Sequence, residues 1–541
     1  MRSISHGLLV TGIAVLLVLS SPIRRTQATT GVLDDSFGSG GKVVTRVFYD
    51  SKLSAVAIQA DDKIVATGFN RQTNGGATDL AVLRYNSDGQ LDASFGNGGL
   101  VLAGRKGYSA SDVVVQPDGK IVAGGTGDSD FALVRYNSDG SLDQSFGAGG
   151  FVTTDFFDGE NGVVALVVQP DGKIIAGGYT YPKRNGSPPF GFALARYNSD
   201  GSLDGSFGEQ GLLSSASALK SELLADIALQ PDGKILVLGT AYSGGTDYDW
   251  VLARYNTDGS ADRGFGVDGR TRTDFGGYDR ARSLSIDSKG KVVAYGNTGD
   301  DVFYFKFSDL ALARYEADGS LDSQFGSGGK VKIDFGKFEE AGAILHQPDG
   351  KLVVAGFSND MPSWAGTFSD FLLSRFNVNG TLDSSFGPGG RMTTDFGRTD
   401  RARALALQSD GKLVAVGYSG EPTYDGFDQS DFALARYTGF ILPDFTLDSP
   451  SKTISASRGD KINLTIDVNR LGDFGGNVTI TGPDLGNLKM KLTPDTATTS
   501  SGSVDFKLKV KKAPRGEHQL LFTGRDETGR ERTLTIIVVI R

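Results

Sequence analysis

The sequence predicts an all-β protein, a seven-bladed β-propeller followed by a smaller β-sandwich, and three observations carry that prediction. The phrase Leu-Asp-x-Ser-Phe-Gly recurs, with small variations, around Phe37, Phe95, Phe146, Phe207, Phe265, Phe325 and Phe386. Those phenylalanines lie 58, 51, 61, 58, 60 and 61 residues apart, a period that holds one four-stranded blade per copy. Glycine is the second observation: 76 of 541 residues, about double the usual share and without a collagen period, imply many tight turns. Third, the repeat stops near Phe440 while strand-length apolar runs continue, so another fold unit follows.

Along the chain, Met1-Arg2, the apolar run Leu8 to Leu19 and Thr26-Gln27-Ala28 read as a secretory signal over residues 1–28. The run falls short of the roughly 20 residues of a membrane span, and Arg24-Arg25 after it leave an uncleaved anchor as the alternative. No second apolar stretch follows, so the mature chain is expected to lack a transmembrane segment and to be secreted or held at the cell surface. There is no cysteine, which excludes disulfides, thiolate metal sites and cysteine nucleophiles. The formal charge is -9, and becomes -12 once Arg2, Arg24 and Arg25 are removed; residues 440–541 carry +3 and residues 29–439 carry -15. A body this acidic repels phosphate backbones, so no nucleic-acid partner is expected.

Within one repeat, Asp112 to Gln116 and Lys120 to Gly124 flank the turn Pro117-Asp118-Gly119 as a hairpin, strands a and b. Asp130 to Tyr136 follows as strand c and Gly150 to Thr154 as strand d. Two more phrases run in phase with the first. One is Arg-Tyr at Arg84, Arg135, Arg196, Arg254, Arg314 and Arg436, with Arg375-Phe376 as the variant; the other is Gln-Pro-Asp-Gly-Lys, complete at Gln116, Gln169, Gln230 and Gln347. The array opens on a lone d-type strand, Gly41 to Val47, and closes on a c-type strand, Asp431 to Tyr437, so both chain ends must complete one blade. Taken together, the Gln-Pro-Asp-Gly-Lys hairpin, Asp-Phe-Ala-Leu-Ala-Arg-Tyr and Asp-Gly-Ser-Leu-Asp-x-Ser-Phe-Gly resemble the delta-60 repeat family of exported bacterial β-propellers over about residues 31–437. The resemblance implies the propeller fold and an extracytoplasmic setting, and it brings no catalytic residues.

Beyond the repeats, seven runs are expected as strands: Phe445 to Leu447, Ile454 to Ser457, Ile462 to Val468, Val478 to Thr481, Val504 to Val510, His518 to Phe522 and Thr533 to Ile540. Their spacing over residues 440–541 resembles the immunoglobulin-like β-sandwich modules appended to bacterial secreted proteins, and such a module implies cell-envelope attachment. Arg458-Gly459-Asp460 reads as a turn.

Seven arginines and seven loop aspartates (Asp34, Asp92, Asp143, Asp204, Asp262, Asp322 and Asp383) predict a repeated ion pair of architectural purpose. Function is then expected where the symmetry breaks, in the b-to-c and d-to-a loops of one face. Those loops hold Tyr248, Trp250, Phe303, Tyr304, Phe305, Trp364, Phe368 and Tyr424. Their two readings are loop packing and an exposed aromatic platform for a protein or glycan ligand, with Trp250 and Trp364 partly exposed in the second. At the ends of strand d, Asp155, Asp274, Asp334 and Asp395 point to the same face, as turn residues or as carboxylates of a secreted carbohydrate-active hydrolase or lyase. With three histidines and no Ser-His-Asp set, no metal or cofactor site is expected. The composite reading is an exported binding or interaction module.

Overall fold

The protein is described by a computed structural model over residues 30–47, 49–181, 191–215, 222–244, 247–287, 289–299, 308–359, 368–421, 429–439, 444–471, 476–485, 488–500, 502–527 and 531–541. The signal segment lies outside the described residues. Within them no helix is long and apolar enough to cross a membrane.

Blade 2 shows how the repeat folds. Strands Ser109–Val115, Ile121–Gly127, Asp130–Tyr136 and Phe151–Thr154 pair antiparallel in the order a-b-c-d. The a-to-b turn is closed by Gly119 N–H donating to the Gln116 carbonyl, with Gly119 at φ 83°, a conformation that suits glycine. Blade 1 lacks this glycine. Asp62 takes the same left-handed place at φ 61°, and its carboxylate is pinned by the Ser409 backbone N–H at 2.8 Å.

The a strands of the seven blades are Asp50–Ile58, Ser109–Val115, Glu160–Val168, Glu222–Leu229, Tyr278–Ile286, Phe338–His346 and Thr399–Leu407. Each opens one four-stranded sheet, and among the described strands a single bridge, Tyr248 to Tyr278, joins two of the sheets. Blade 7 takes its d strand from the other end of the chain: Lys42–Thr45 pairs antiparallel with Gln429–Tyr437. Every a strand touches the a strands of both neighbours, so the seven surround a common axis.

Seven apolar clusters lie between successive blades, each fed by two sheets. Val122, Phe131 and Leu133 meet Val163, Ile174 and Ala176 between blades 2 and 3, and Val414, Phe432 and Leu434 of blade 7 meet Leu53, Ile64 and Leu83 of blade 1. That last cluster closes the ring. Strands b and c are buried on both faces for this reason, which is why they read as continuous apolar runs.

The three repeated phrases converge on one point in each blade. The arginine Nε donates to the loop aspartate at 2.7 to 2.9 Å in all seven copies. The hairpin lysine reaches the same carboxylate at 2.6 to 3.3 Å. The guanidinium also stacks on the phrase's phenylalanine, as Arg135 does on Phe146 at 4.3 Å. Its remaining arm crosses to the next blade, where Arg135 Nη1 donates to the Ser199 carbonyl at 2.5 Å and Arg254 Nη1 to the Ala317 carbonyl at 2.5 Å. The expected architectural ion pair is thus also a staple between blades. At the seam, Arg436 pairs with Asp34 from the far end of the chain, and Arg375 Nη2 donates to Thr30 Oγ1 at 2.8 Å.

Residues 444–541 form two facing sheets over one core. One sheet has the order Asp444–Asp448, Lys461–Leu471, Ser503–Val510, Met490–Thr493; the other has Thr453–Ala456, Glu531–Ile540, Gly516–Asp526, Val478–Thr481, Thr496–Thr499. Ser503–Val510 alternates Phe506, Leu508 and Val510 inward with Asp505, Lys507 and Lys509 outward, and Phe506 meets Phe522 of the other sheet at 5.3 Å between ring centroids. Met490–Thr493 and Thr496–Thr499 add to the seven strands expected; they are short, threonine-rich and split by Pro494-Asp495, so their apolar signal is weak. Arg458-Gly459-Asp460 is a turn, with Gly459 at φ 100° and the Asp460 carboxylate accepting the Ser457 N–H.

Candidate functional site: the mouth of the central channel

Each a strand contains one bulge, which inserts an unpaired residue opposite strand b. The bulge residues are Ser54, Ser111, Val164, Ala225, Arg282, Gly342 and Arg403. Two residues earlier stand Lys52, Ser109, Gly162, Leu223, Arg280, Glu340 and Arg401. At these two levels blades 2 to 4 are uncharged, while blades 5, 7 and 1 carry five cations and blade 6 a single acid. The channel wall therefore has a cationic half inside a body of formal charge -15.

Glu340 sits between its neighbours, 2.6 Å from Arg282 and 3.5 Å from Arg403. Burial alone would push its pKa up, but Arg282, Arg403, Arg401 and Arg280 together hold it below the usual value. Arg282 is pushed down to about 10 by burial and by the charge of Arg280 and Arg403. Among the described residues neither Arg280 nor Arg401 forms an ion pair, and the Nε groups of Arg282 and Arg401 are buried without an acceptor. One carboxylate for four guanidinium groups leaves unspent positive charge and unused donors.

The blade 5 part of this wall borders a cavity of about 380 Å³ lined by Val164, Tyr179, Leu223, Tyr248, Tyr278, Arg280 and Arg282, among others. Its volume lies within the range of small-ligand sites, roughly 300–1,000 Å³. Tyr248 and Tyr278 stand at the end where strand a begins; Arg280 and Arg282 follow further in. Tyr242, Tyr248 and Tyr278 stack edge to face, with centroids 5.4 and 5.0 Å apart.

Of the residues singled out from sequence, Tyr248 belongs to this cavity. Phe303, Tyr304, Phe305, Trp364 and Tyr424 lie outside the described residues. Phe368 is exposed. Trp250 corrects the expectation of an exposed ring, because it is fully buried in strand Asp247–Tyr255. It packs on Phe275 at 4.7 Å between centroids, and Gly296 of blade 5 makes the room: a Cβ there would lie 2.7 Å from the indole.

The four acids fix turns and sit at separate blade junctions. Asp274 and Asp334 accept the backbone N–H of Gly276 and Gly336 at 2.6 and 2.5 Å, and Asp395 accepts that of Gly397. Asp155 accepts Asn161 Nδ2 at 3.2 Å and lines a larger cavity of about 780 Å³ along the edge of Leu212–Ser214 in blade 3. Asp274, Asp334 and Asp395 each complete a carboxylate triad: Asp249-Asp274-Asp279, Asp309-Asp334-Glu339 and Asp370-Asp395-Asp400. Burial, reinforced by the two neighbouring charges, raises the innermost member of each, Asp279 to about 6, Glu339 to about 8 and Asp400 to about 7.

A raised carboxyl favours the protonated native state, so its share of stability is present below about pH 4 and is lost as pH rises through the folded value. Asp112, raised to about 7, and Asp226, raised to about 6, act in the same direction because of their burial. His346 opposes them: burial lowers it to about 4, which favours higher pH. With five acids against one histidine, thermal melting without divalent cations is expected at lower temperature at pH 8.5 than at pH 6. Equal melting temperatures would show that these groups titrate alike in both states.

The sequence signal missed was Asp-Arg-Ala-Arg, present twice, at Asp279 to Arg282 and Asp400 to Arg403. It places two arginines at one end of strand a, the second of them at the bulge.

Seven stretches, 59–95, 116–146, 169–207, 230–265, 290–325, 347–386 and 408–439, match the family model described as a domain of unknown function (DUF5122) beta-propeller. No curated relative matches. Among solved structures, a protein of unknown function from Dyadobacter fermentans is similar at 14% identity and TM-score 0.38, over 74% of this chain and 98% of that one. A levansucrase of B. megaterium aligns at 12% identity and TM-score 0.27, over 53% and 83%. Domains 4 and 5 of the S-layer protein SbsC align at 16% identity and TM-score 0.14, over 31% and 89%.

Proposed function

We propose that this β-propeller repeat chain is an exported binding module that captures an anionic glycan at the mouth of its central channel. The observation that carries the reading is the cationic half-wall of Arg280, Arg282, Arg401 and Arg403, which holds one carboxylate and whose blade 5 members, Arg280 and Arg282, line one cavity with Tyr248 and Tyr278. Guanidinium groups suit carboxylate, sulfate or phosphate through paired N–H donors, and tyrosine faces suit the apolar face of a sugar ring. A ligand rich in acid yet carrying ring faces uses both.

Export rests on the signal-like residues 1–28, and the repeats are assigned to the delta-60 kind on the phrases they share. The division at 29–439 and 440–541 separates binding from attachment. An immunoglobulin-like assignment for the second unit is supported by the sheet order of Lys461–Leu471 beside Ser503–Val510, facing Glu531–Ile540 beside Gly516–Asp526 and Val478–Thr481. Its positive balance against the acidic propeller suits retention at an anionic envelope polymer.

An array of uronate-containing, sulfated and neutral oligosaccharides tests the reading. The protein is expected to retain acidic glycans and not their neutral counterparts, and Tyr248→Ala is expected to lower that signal about tenfold while the protein still folds, with the modest loss of melting temperature that two lost ring contacts imply. Retention of acidic peptides or single-stranded nucleic acid in place of glycans would replace the ligand class, and equal retention of neutral sugars would remove the role of the arginines.

A further inference from the structure

We propose that the three carboxylate triads at the junctions of blades 4 and 5, 5 and 6, and 6 and 7 are calcium sites. The proposal is independent of the ligand at the channel mouth. In each triad one acid starts strand c (Asp249, Asp309, Asp370), one follows strand d (Asp274, Asp334, Asp395) and one belongs to the next strand a (Asp279, Glu339, Asp400). One oxygen from each acid lies within 4.8 Å of the others. Calcium binds oxygen at about 2.4 Å, so two ligands of one ion can be at most about 4.8 Å apart, and the three oxygens fit a single ion.

The innermost acids point to a missing partner. Asp279, Glu339 and Asp400 are wholly shielded from solvent, and Thr298, the Lys337 backbone and Ser419 lie beside their carboxylates, yet none of these closes a well-formed hydrogen bond to Asp279 Oδ1, Asp400 Oδ1 or either oxygen of Glu339. Buried carboxylate oxygens are normally paired, because leaving one unpaired forfeits its hydration with nothing in return. Charge points the same way. Arg272 neutralises Asp249 from outside at 2.8 Å and Lys332 neutralises Asp309 at 3.2 Å, so with all three carboxyls ionised the first two triads have a formal charge of two negative, matching a divalent ion that would displace the inner proton.

Other junctions solve the same problem with protein groups. Between blades 2 and 3 the strand-a position holds Asn161, whose Nδ2 donates to both Asp130 and Asp155 at 3.3 and 3.2 Å. Between blades 7 and 1 the strand-d position holds Arg46, which pairs with Asp431 at 3.0 Å, and Ser51 takes the strand-a position. Where a triad is complete, no amide or guanidinium takes the inner place. Calcium is favoured over magnesium because it accepts carboxylates from separate segments in varied geometry, whereas magnesium demands near-ideal octahedral placement.

Calorimetric titration of the chelator-treated full chain with calcium chloride at pH 7.5 tests this. Three equivalents are expected to bind and to raise the melting temperature. Asp279→Asn, Glu339→Gln and Asp400→Asn are each expected to remove one equivalent, and Asn161 shows that an amide is accommodated at this position. Should any of these fail to fold, the exposed Asp274→Asn, Asp334→Asn and Asp395→Asn serve in their place. No binding at millimolar calcium would overturn the proposal. So would a triple variant that binds as many ions as the parent, or a melting temperature that follows pH and ignores calcium, since protonation alone would then relieve the triads.

Discussion

Trp250→Ala is expected to lower the stability of the protein by about 3 to 5 kcal/mol, the usual cost of truncating a core aromatic. The indole is fully buried, lies with Leu236 and Leu252 in the cluster shared by blades 4 and 5, and packs on Phe275. Removing it empties a space shaped on one side by Gly296, whose backbone is held in the ladder opposite Ala281 and Ala311 and cannot collapse inward. Trp250→Phe should recover most of the loss, because phenylalanine fills the equivalent place in blades 2, 6 and 7 as Phe131, Phe371 and Phe432. Denaturant unfolding of the three proteins measures this, and a loss below about 1 kcal/mol for alanine would mean that the site repacks.

The second large effect is at the repeated ion cluster. Asp322 accepts Arg314 at 2.8 Å and Lys291 at 2.6 Å, and is almost fully buried. Burial pushes its pKa up, but the hydrogen bonds from Lys291 and the Gln324 backbone and the charge of Arg314 more than offset this and hold it at about 2. Asp322→Ala strands Arg314 beside Phe325 with no carboxylate, while Lys291 keeps Glu316 at 2.9 Å, and breaking one side of a buried pair costs about 3 to 5 kcal/mol. Arg314 also donates to the Val378 carbonyl of blade 6, so the damage is expected to reach the junction between blades 5 and 6. Hydrogen exchange should show loss of protection in both blades; loss confined to blade 5 would mean that the staple does not couple them.

Much of this architecture was legible because it is repeated. A phrase that returns seven times reports its own spacing, and the lone strand before Asp50 together with the three-strand set after Thr399 required both chain ends to share a sheet, as Lys42–Thr45 and Gln429–Tyr437 do. The Arg-Asp pair was readable for the same reason, whereas the lysine that joins it was not, since a turn lysine beside Pro-Asp-Gly looks solvated until the hairpin folds over the next loop.

Trp250 was misassigned although the repeat contained the answer. Asp249-Trp250-Val-Leu-Ala-Arg-Tyr aligns with Asp130-Phe131-Ala-Leu-Val-Arg-Tyr, so the tryptophan occupies the first core position of strand c and not the loop before it. The channel arginines escaped because a period-2 reading of strand a places Arg280 and Arg282 on one face of an ordinary strand. Nothing in that pattern says that the face meets the channel, and the bulge at Arg282 brings Ala281 to the same cavity as well. The carboxylate triads escaped because their members come from three segments up to 30 residues apart, at Asp249 and Asp279 for example.

The central claim is that binding resides in the cationic half of the channel, and the most direct measurement is the salt dependence of affinity for an acidic oligosaccharide, with Arg280→Ala/Arg401→Ala beside the parent. Both arginines lack ion-pair partners among the described residues, and what their removal costs is the stacking of Arg401 on Phe357 at 4.5 Å and part of the field on Glu340, so the double variant should still fold and melt cooperatively, though at a lower temperature than the parent. The account predicts that the double variant binds at least tenfold more weakly and that its affinity falls less steeply with added salt, because two charge contacts are gone. An unchanged affinity with an unchanged salt slope would contradict it and place the ligand elsewhere on the ring.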